Sequence, residues 1–196
     1  MRMKLLEQKI LEHGVALNTH VLLVDTFLNH QVDVPLMQAL GAEFARIYKD
    51  KGITRVATIE SSGIAPATFT ALAMGLPMVI LKKSKSSILS EEISQTPVES
   101  FTKGLTYQLT LKNKFVDKQD NVLIIDDFLA IGEAALGAIR LIEMAGAHVG
   151  GVGIVIEKAF QPGRQRLIDA GHRPYSLARV SKMDKDLIEF VSEEDL

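Results

Sequence analysis

The chain alternates between two hydrophobic patterns. Short runs rich in β-branched and aliphatic residues occur at 55–59, 78–81, 122–125 and 149–156. Apolar character sustained over that length fits strands covered on both faces, as in a parallel sheet. Between them lie stretches with apolar residues at helical spacing. In 35–51 these are Leu36, Leu40, Phe44 and Ile47-Tyr48, with Pro35 tolerated in the first turn and Gly52 as the stop. In 133–145 they are Leu136, Ile139 and Leu141-Ile142, with Gly146 as the stop. Shorter helices are predicted over 66–74, and over 162–170 with Gly171 closing the turn. An amphipathic helix at 3–13 carries Leu5, Leu6, Ile10 and Leu11 on one side, and further strands are predicted at 21–24 and 175–180. Recurring strand, turn and helix is the pattern of an α/β protein with a mostly parallel central sheet and flanking helices.

One stretch breaks the alternation. From Ser84 to about Leu105 the residues are polar and weakly periodic. A connection this long inside a compact domain is expected to be functional or mobile. Residues 107–112 and 115–116 read as hairpin strands beside it, and 189–196 as a solvated acidic tail.

Composition narrows the class. The 196 residues suit one domain with a substantial core, and 47% hydrophobic with 23% charged residues is ordinary for a globular protein. A net charge of −2 argues against a nucleic-acid partner, which calls for a basic surface. The absence of cysteine excludes disulfides and a thiol nucleophile and agrees with a reducing compartment. Residues 1–11 lack the apolar block of a signal peptide, and no apolar run approaches the ~20 residues that cross a bilayer. A cytoplasmic protein without membrane attachment is expected.

The candidate chemistry centres on the run from Val122 to Ala134. An apolar strand leads to Asp126 and Asp127, then to a loop of small residues and the start of a helix. A loop entering a helix N-terminus offers unbonded N–H groups and the positive end of the helix dipole, which suit a phosphate. The two carboxylates would repel that phosphate but accept hydrogen bonds from sugar hydroxyls. Phosphate and hydroxyls a few ångströms apart describe a ribose 5-phosphate. A second strand–turn–helix junction carries Ser61, Ser62 and Gly63; it reads equally as an anion-binding loop or as a tight turn with a serine capping the helix. Lys82-Lys83 ends a third strand, either to neutralise an anion or as a solvated edge. Lys158 could donate to a ligand carbonyl and Phe160 could stack on a planar ring; the alternative is an exposed lysine with Phe160 buried. The glycines of 150–153 start a strand and make no dinucleotide fingerprint, and no nucleotide triphosphatase P-loop is present.

The acidic pair with its small-residue loop resembles the phosphoribosyl-pyrophosphate (PRPP) motif of the type I phosphoribosyltransferases. Phe27-Leu28-Asn29-His30-Gln31, Ile59-Glu60-Ser61-Ser62-Gly63-Ile64-Ala65-Pro66 and Ile156-Glu157-Lys158-Ala159-Phe160-Gln161-Pro162-Gly163-Arg164 extend the resemblance over essentially the whole chain. It implies the fold of that family, with an N-terminal hood at about 1–34 and a flexible flap with flanking strands at about 84–117. It implies purine salvage: xanthine and PRPP as substrates, xanthosine 5′-monophosphate and pyrophosphate as products, Mg²⁺ carried by PRPP, and a homodimer. By residue, it places Asp126 and Asp127 on the ribose and Ala130, Ile131, Gly132, Glu133 and Ala134 around the 5-phosphate. Ser61, Ser62 and Lys83 fall to pyrophosphate, and Leu22, Asn29, Lys158 and Phe160 to xanthine, with no metal ligand and no general base assigned.

Two features stand apart from the family pattern. Ile131 replaces a residue that is usually polar, leaving the phosphate contact there to backbone amides, and Glu133 beside a phosphate is awkward unless it turns outward. The alternatives are another purine preference (hypoxanthine, guanine or adenine) or a PRPP-sensing regulator on the same fold. A regulator needs a DNA-binding segment, for which the roughly twenty residues before the first strand are too few. A phospho-acceptor receiver domain fits less well, because these acids come late in the chain.

Overall fold

The computed structural model describes residues 3–84, 92–100 and 105–192. In chain order the elements are α1 (Lys4–His13), β1 (Val15–Ala16), β2 (Leu22–Leu23), a π-helical turn (Asp25–Asn29), α2 (Val34–Tyr48), β3 (Arg55–Ile59), α3 (Ile64–Met74) and β4 (Met78–Ser84). There follow β5 (Ile93–Ser100), β6 (Leu105–Lys112), a 3-10 turn (Asn113–Phe115), β7 (Asn121–Leu129), α4 (Glu133–Met144), β8 (His148–Lys158), α5 (Gly163–Asp169), β9 (Tyr175–Asp184) and β10 (Leu187–Phe190). Asp33 caps α2, its carboxylate accepting the Leu36 N–H at 3.0 Å, and Gly75 ends α3 in the left-handed conformation.

Eight strands form one sheet in the order β10-β9-β8-β7-β3-β4-β6-β5. The central strands β9-β8-β7-β3-β4 are parallel, and β10, β6 and β5 pair antiparallel at the edges. Val56, Leu123, Ile124 and Ile154 are fully buried, because helices cover both faces. One core layer joins Phe44 and Leu40 of α2 with Leu123 and Ile125 and reaches into the N-terminal segment through Leu22, Val24 and Phe27. The other sets Ala138, Ile139, Leu141 and Ile142 of α4 against Ala57, Ile124 and Val152.

The chain leaves β3 toward β4 on one side and later places β7 on the other. The strand order therefore reverses between β3 and β7. In open α/β sheets the crevice beyond the carboxyl ends at such a reversal is where ligands bind. The connections from β3 to α3 and from β7 to α4 open there, bringing the two small-residue loops to one rim.

The structure corrects several sequence expectations. The acids do not follow the strand: β7 continues through Leu129, pairing with β8 past the point where β3 ends, so Asp126 and Asp127 are strand residues with β3 no longer beside them. Residues 93–100, read as part of a long polar connection, form β5, which pairs with β6 along its length; Asn113–Phe115 is a turn and 115–116 is not the second hairpin strand. The inward positions of β5 include Ser94 and Thr96, whose hydroxyls are taken up by Asn113 and Arg140, so the apolar alternation that marks a strand is missing. Pro97 is tolerated because β5 is the sheet edge. The rest of the expected flap, 85–91 and 101–104, and the tail at 193–196 lie outside the described residues. The predicted strand at 175–180 runs on to Asp184 and turns back as β10, and β1 pairs with β2 in a small ribbon that the sequence reading did not contain.

Candidate active site

Asp126 is 6% exposed and Asp127 half-buried, and the Asp126 carboxylate accepts the N–H of Asp127 at 3.1 Å. Burial, and next the charge of Asp127, push the Asp126 carboxyl well above the ordinary carboxylate range. Lys83 opposes this from β4, and on β8 burial lowers the Lys158 pKa although the charge of Asp127 works against that shift. Tyr107 on β6 also faces the pair: burial and the Asp126 charge raise its hydroxyl to about 12, and its ring lies 5.3 Å from the Lys83 ammonium. Two carboxylates sharing a low-dielectric rim are suited to ligand donors, such as a vicinal diol, or to a cation.

After Leu129 the chain turns through Ala130 and Ile131 to Gly132, whose φ of +91° a residue with a side chain would resist. The first amide taken up by α4 is that of Leu136, bonded to Gly132 O at 2.9 Å. The N–H groups of Glu133, Ala134 and Ala135 therefore leave the helix end unbonded to it. α5 holds the back of this loop. Gly163 N–H donates to Ala130 O at 2.9 Å, and Arg166 donates to Ile131 O at 2.9 Å and to the Glu133 carboxylate. A side chain at Gly163 would meet Ala130 O at 2.3 Å, so the contact requires glycine. The carbonyls thus face α5, and Glu133, which would oppose an anion, is paired with a guanidinium. Arg166 was not singled out from sequence, and Gly163 entered only as part of a motif, with no role assigned to it. Their signal is only a helix start, and Arg166 lies 33 residues from the Glu133 it pairs with.

Ser61 is exposed and Ser62 half-buried in the connection after β3, where the Glu60–Ser61 peptide is cis. Neither serine caps α3; the N-cap is Gly63, with no side-chain bond, which removes the capping alternative. Glu60 ties this loop to β4, accepting from the Lys83 N–H and from Lys82 at 3.1 Å. Burial would raise the Glu60 carboxyl, but these bonds and the two lysine charges outweigh it and hold it below its ordinary value. Lys83 is exposed at the rim, as either sequence alternative requires.

On the other side the N-terminal segment meets β8. Lys158 donates to the carbonyl of His20, in the β1–β2 connection, and its ammonium lies 5.4 Å from the Phe128 ring. Burial lowers its pKa. Lys158 is half-buried and Phe160 43% exposed, so the alternative of an exposed lysine and a buried phenylalanine does not hold. Leu22 is buried in the core layer beneath the segment, and Asn29 is exposed at the end of the π-helical turn. Beneath Lys158, Glu157 is 1% exposed and bonded by Arg164, Arg179 and the Ser176 hydroxyl. This network anchors the rim end of β8 to α5 and β9.

Among the described residues no group of three or more His, Cys, Asp or Glu is arranged to hold a metal. No family model matches the chain. Curated relatives match it over nearly their whole length. The "Xanthine phosphoribosyltransferase 1" of Clostridium botulinum (strain Hall) is 61% identical, covering 96% of this chain and 100% of its own. The xanthine phosphoribosyltransferase of Acinetobacter baylyi is 50% identical over 96% and 98%. Among solved structures, adenine phosphoribosyltransferase of Giardia lamblia with 9-deazaadenine superposes with a TM-score of 0.68 at 26% identity, covering 75% of this chain and 81% of that one. The Trypanosoma brucei adenine enzyme, with AMP, pyrophosphate and ribose-5-phosphate, gives 0.72 at 20% identity over 89% and 79%, a likeness of fold. The fold is thus one that those enzymes share, and identities of 50–61% over nearly full lengths mean that the chain belongs to the xanthine phosphoribosyltransferases.

Proposed function

We propose that the protein transfers the 5-phosphoribosyl group of PRPP to N9 of xanthine, releasing pyrophosphate and forming xanthosine 5′-monophosphate. The observation that carries the site reading is the pairing of Glu133 with Arg166, which offsets the charge of the acid that the loop itself carries. Catalysis in such a site is positioning and charge stabilisation. Asp126 and Asp127 accept the ribose hydroxyls, and residues 130–134 wrap the 5-phosphate through their backbone amides. Ser61 and Ser62, through backbone N–H, and Lys83 take the pyrophosphate. The hood, about 1–34, roofs the base: Leu22 and Phe160 flank it, and Asn29 and Lys158 bond its oxygens.

Mg²⁺ fits this donor set as an ion that arrives on the diphosphate, since two adjacent carboxylates, with no third such ligand grouped with them among the described residues, suit a cation that keeps substrate oxygens and water. Asp126 and Asp127 are the residues beside which it would sit, and it would screen the charge of the leaving group. No helix among the described residues is long and apolar enough to cross a membrane, and we place the enzyme in the cytosol as a homodimer. Sedimentation at assay concentration should give twice the chain mass; a monomer there contradicts the dimer. Pyrophosphate release measured with xanthine, hypoxanthine, guanine and adenine, with and without PRPP, tests the reaction. Release should require PRPP and be fastest with xanthine, and faster turnover of adenine would refute the assignment.

A further inference from the structure

Thr58, the fourth residue of β3, is 0% exposed, and its hydroxyl has no hydrogen-bond partner. A buried hydroxyl without an acceptor costs the fold its desolvation, and a valine of the same shape would remove that cost. Its position suggests what it is kept for. Thr58 pairs across the β3–β7 reversal with Ile125, the residue before Asp126. Its Oγ1 would lie 2.3 Å from a Cβ built on Gly63, and the Asp126 Oδ1 would lie 3.3 Å from the same point. Both oxygens border one small space that Gly63 leaves open by having no side chain. Asp126 meanwhile accepts only from the neighbouring Asp127 amide among the described hydrogen bonds.

We propose that Thr58 is a positioning residue for the acid pair: when ribose hydroxyls are seated, the Asp126 carboxylate turns toward β3 and accepts the Thr58 O–H. The hydroxyl then fixes the carboxylate in the orientation that receives the sugar. Gly63 is required because any side chain would fill the space in which the bond forms. The inference rests on the ribose role of Asp126, and the test separates the two.

Thr58→Val, Thr58→Ser and Asp126→Asn are each titrated calorimetrically with ribose 5-phosphate, melted without ligand, and assayed for the KM of each substrate. Thr58→Val should bind ribose 5-phosphate about tenfold more weakly, the size of a hydrogen bond to a charged group. Its unliganded melting temperature should not fall, its KM for xanthine should not change, and Thr58→Ser should restore binding. Wild-type binding by Thr58→Val while Asp126→Asn loses it overturns the proposal and leaves the ribose role standing. Wild-type binding by Asp126→Asn overturns the ribose role itself. A lower melting temperature for Thr58→Val, restored by Thr58→Ser, means that the hydroxyl is bonded in the free protein and also overturns the proposal.

Discussion

Replacing Arg166 with alanine should weaken the phosphate loop without touching any group that meets the ligand. Arg166 makes two bonds there, to the Ile131 carbonyl at 2.9 Å and to the Glu133 carboxylate, with side-chain exposures of 36% for Arg166 and 22% for Glu133. Hydrogen bonds to charged groups contribute ~1.5–3 kcal/mol when shielded. Partial exposure moves this pair toward the ~0–1 kcal/mol of surface ion pairs. The net loss of phosphate affinity should be about 1–2 kcal/mol, or about 5–30-fold in the Kd for ribose 5-phosphate. Part of the loss is the Glu133 charge left facing the anion. Arg166→Ala combined with Glu133→Gln should recover that part, and raising the salt from about 0.05 M to about 0.5 M should narrow the gap between wild type and the single variant. Calorimetric titration at both salt concentrations measures this. Wild-type affinity in Arg166→Ala, or no recovery in the double variant, would refute the bracing argument.

Asp127→Asn should lower kcat/KM by about tenfold or more in steady-state assays, because an amide accepts fewer and weaker bonds from the sugar; unchanged kinetics would exclude the ribose role. Asp126→Asn should raise the melting temperature of the free protein at neutral pH. The folded state holds this carboxyl above its ordinary value, so ionisation weakens the fold as pH rises through that range, and the amide avoids the penalty. Glu157→Gln should cost ~3–5 kcal/mol in denaturant unfolding, since Arg164 and Arg179 lose a buried partner. Burial alone would raise the Glu157 carboxyl, but Arg164, Ser176 and Arg179 outweigh it. Its stabilisation is therefore present above the unfolded carboxyl pKa and lost as pH falls through the lower folded value, a sensitivity that the glutamine variant should lack. Lys158→Met should raise the KM for xanthine about tenfold or more while leaving ribose 5-phosphate binding unchanged; a reversed pattern in initial rates would move Lys158 out of the base pocket.

Much of this was legible in one dimension because its causes are local. The apolar runs at 55–59, 122–125 and 149–156 and the small-residue turns after two of them are set by neighbours in sequence, and β3 was read to the residue. Glu133 could be flagged as a problem from its own position in the first turn of α4. Where local signal failed, a distant partner decided the outcome. Ser94 and Thr96 enter a strand because Asn113 and Arg140 take up their hydroxyls. The acids stand inside β7 because β8 runs on beside them after β3 has stopped.

By itself, then, the chain determined its central strands and main helices, their α/β order and the residue types gathered at two turns, since periodicity and turn chemistry act over a few residues. Tertiary structure alone brought Arg166 to Glu133, Gly163 beneath Ala130, and the side chains of Thr58 and Asp126 to the space beside Gly63. Those contacts depend on the order in which strands are laid into the sheet, and no short window of sequence records that order.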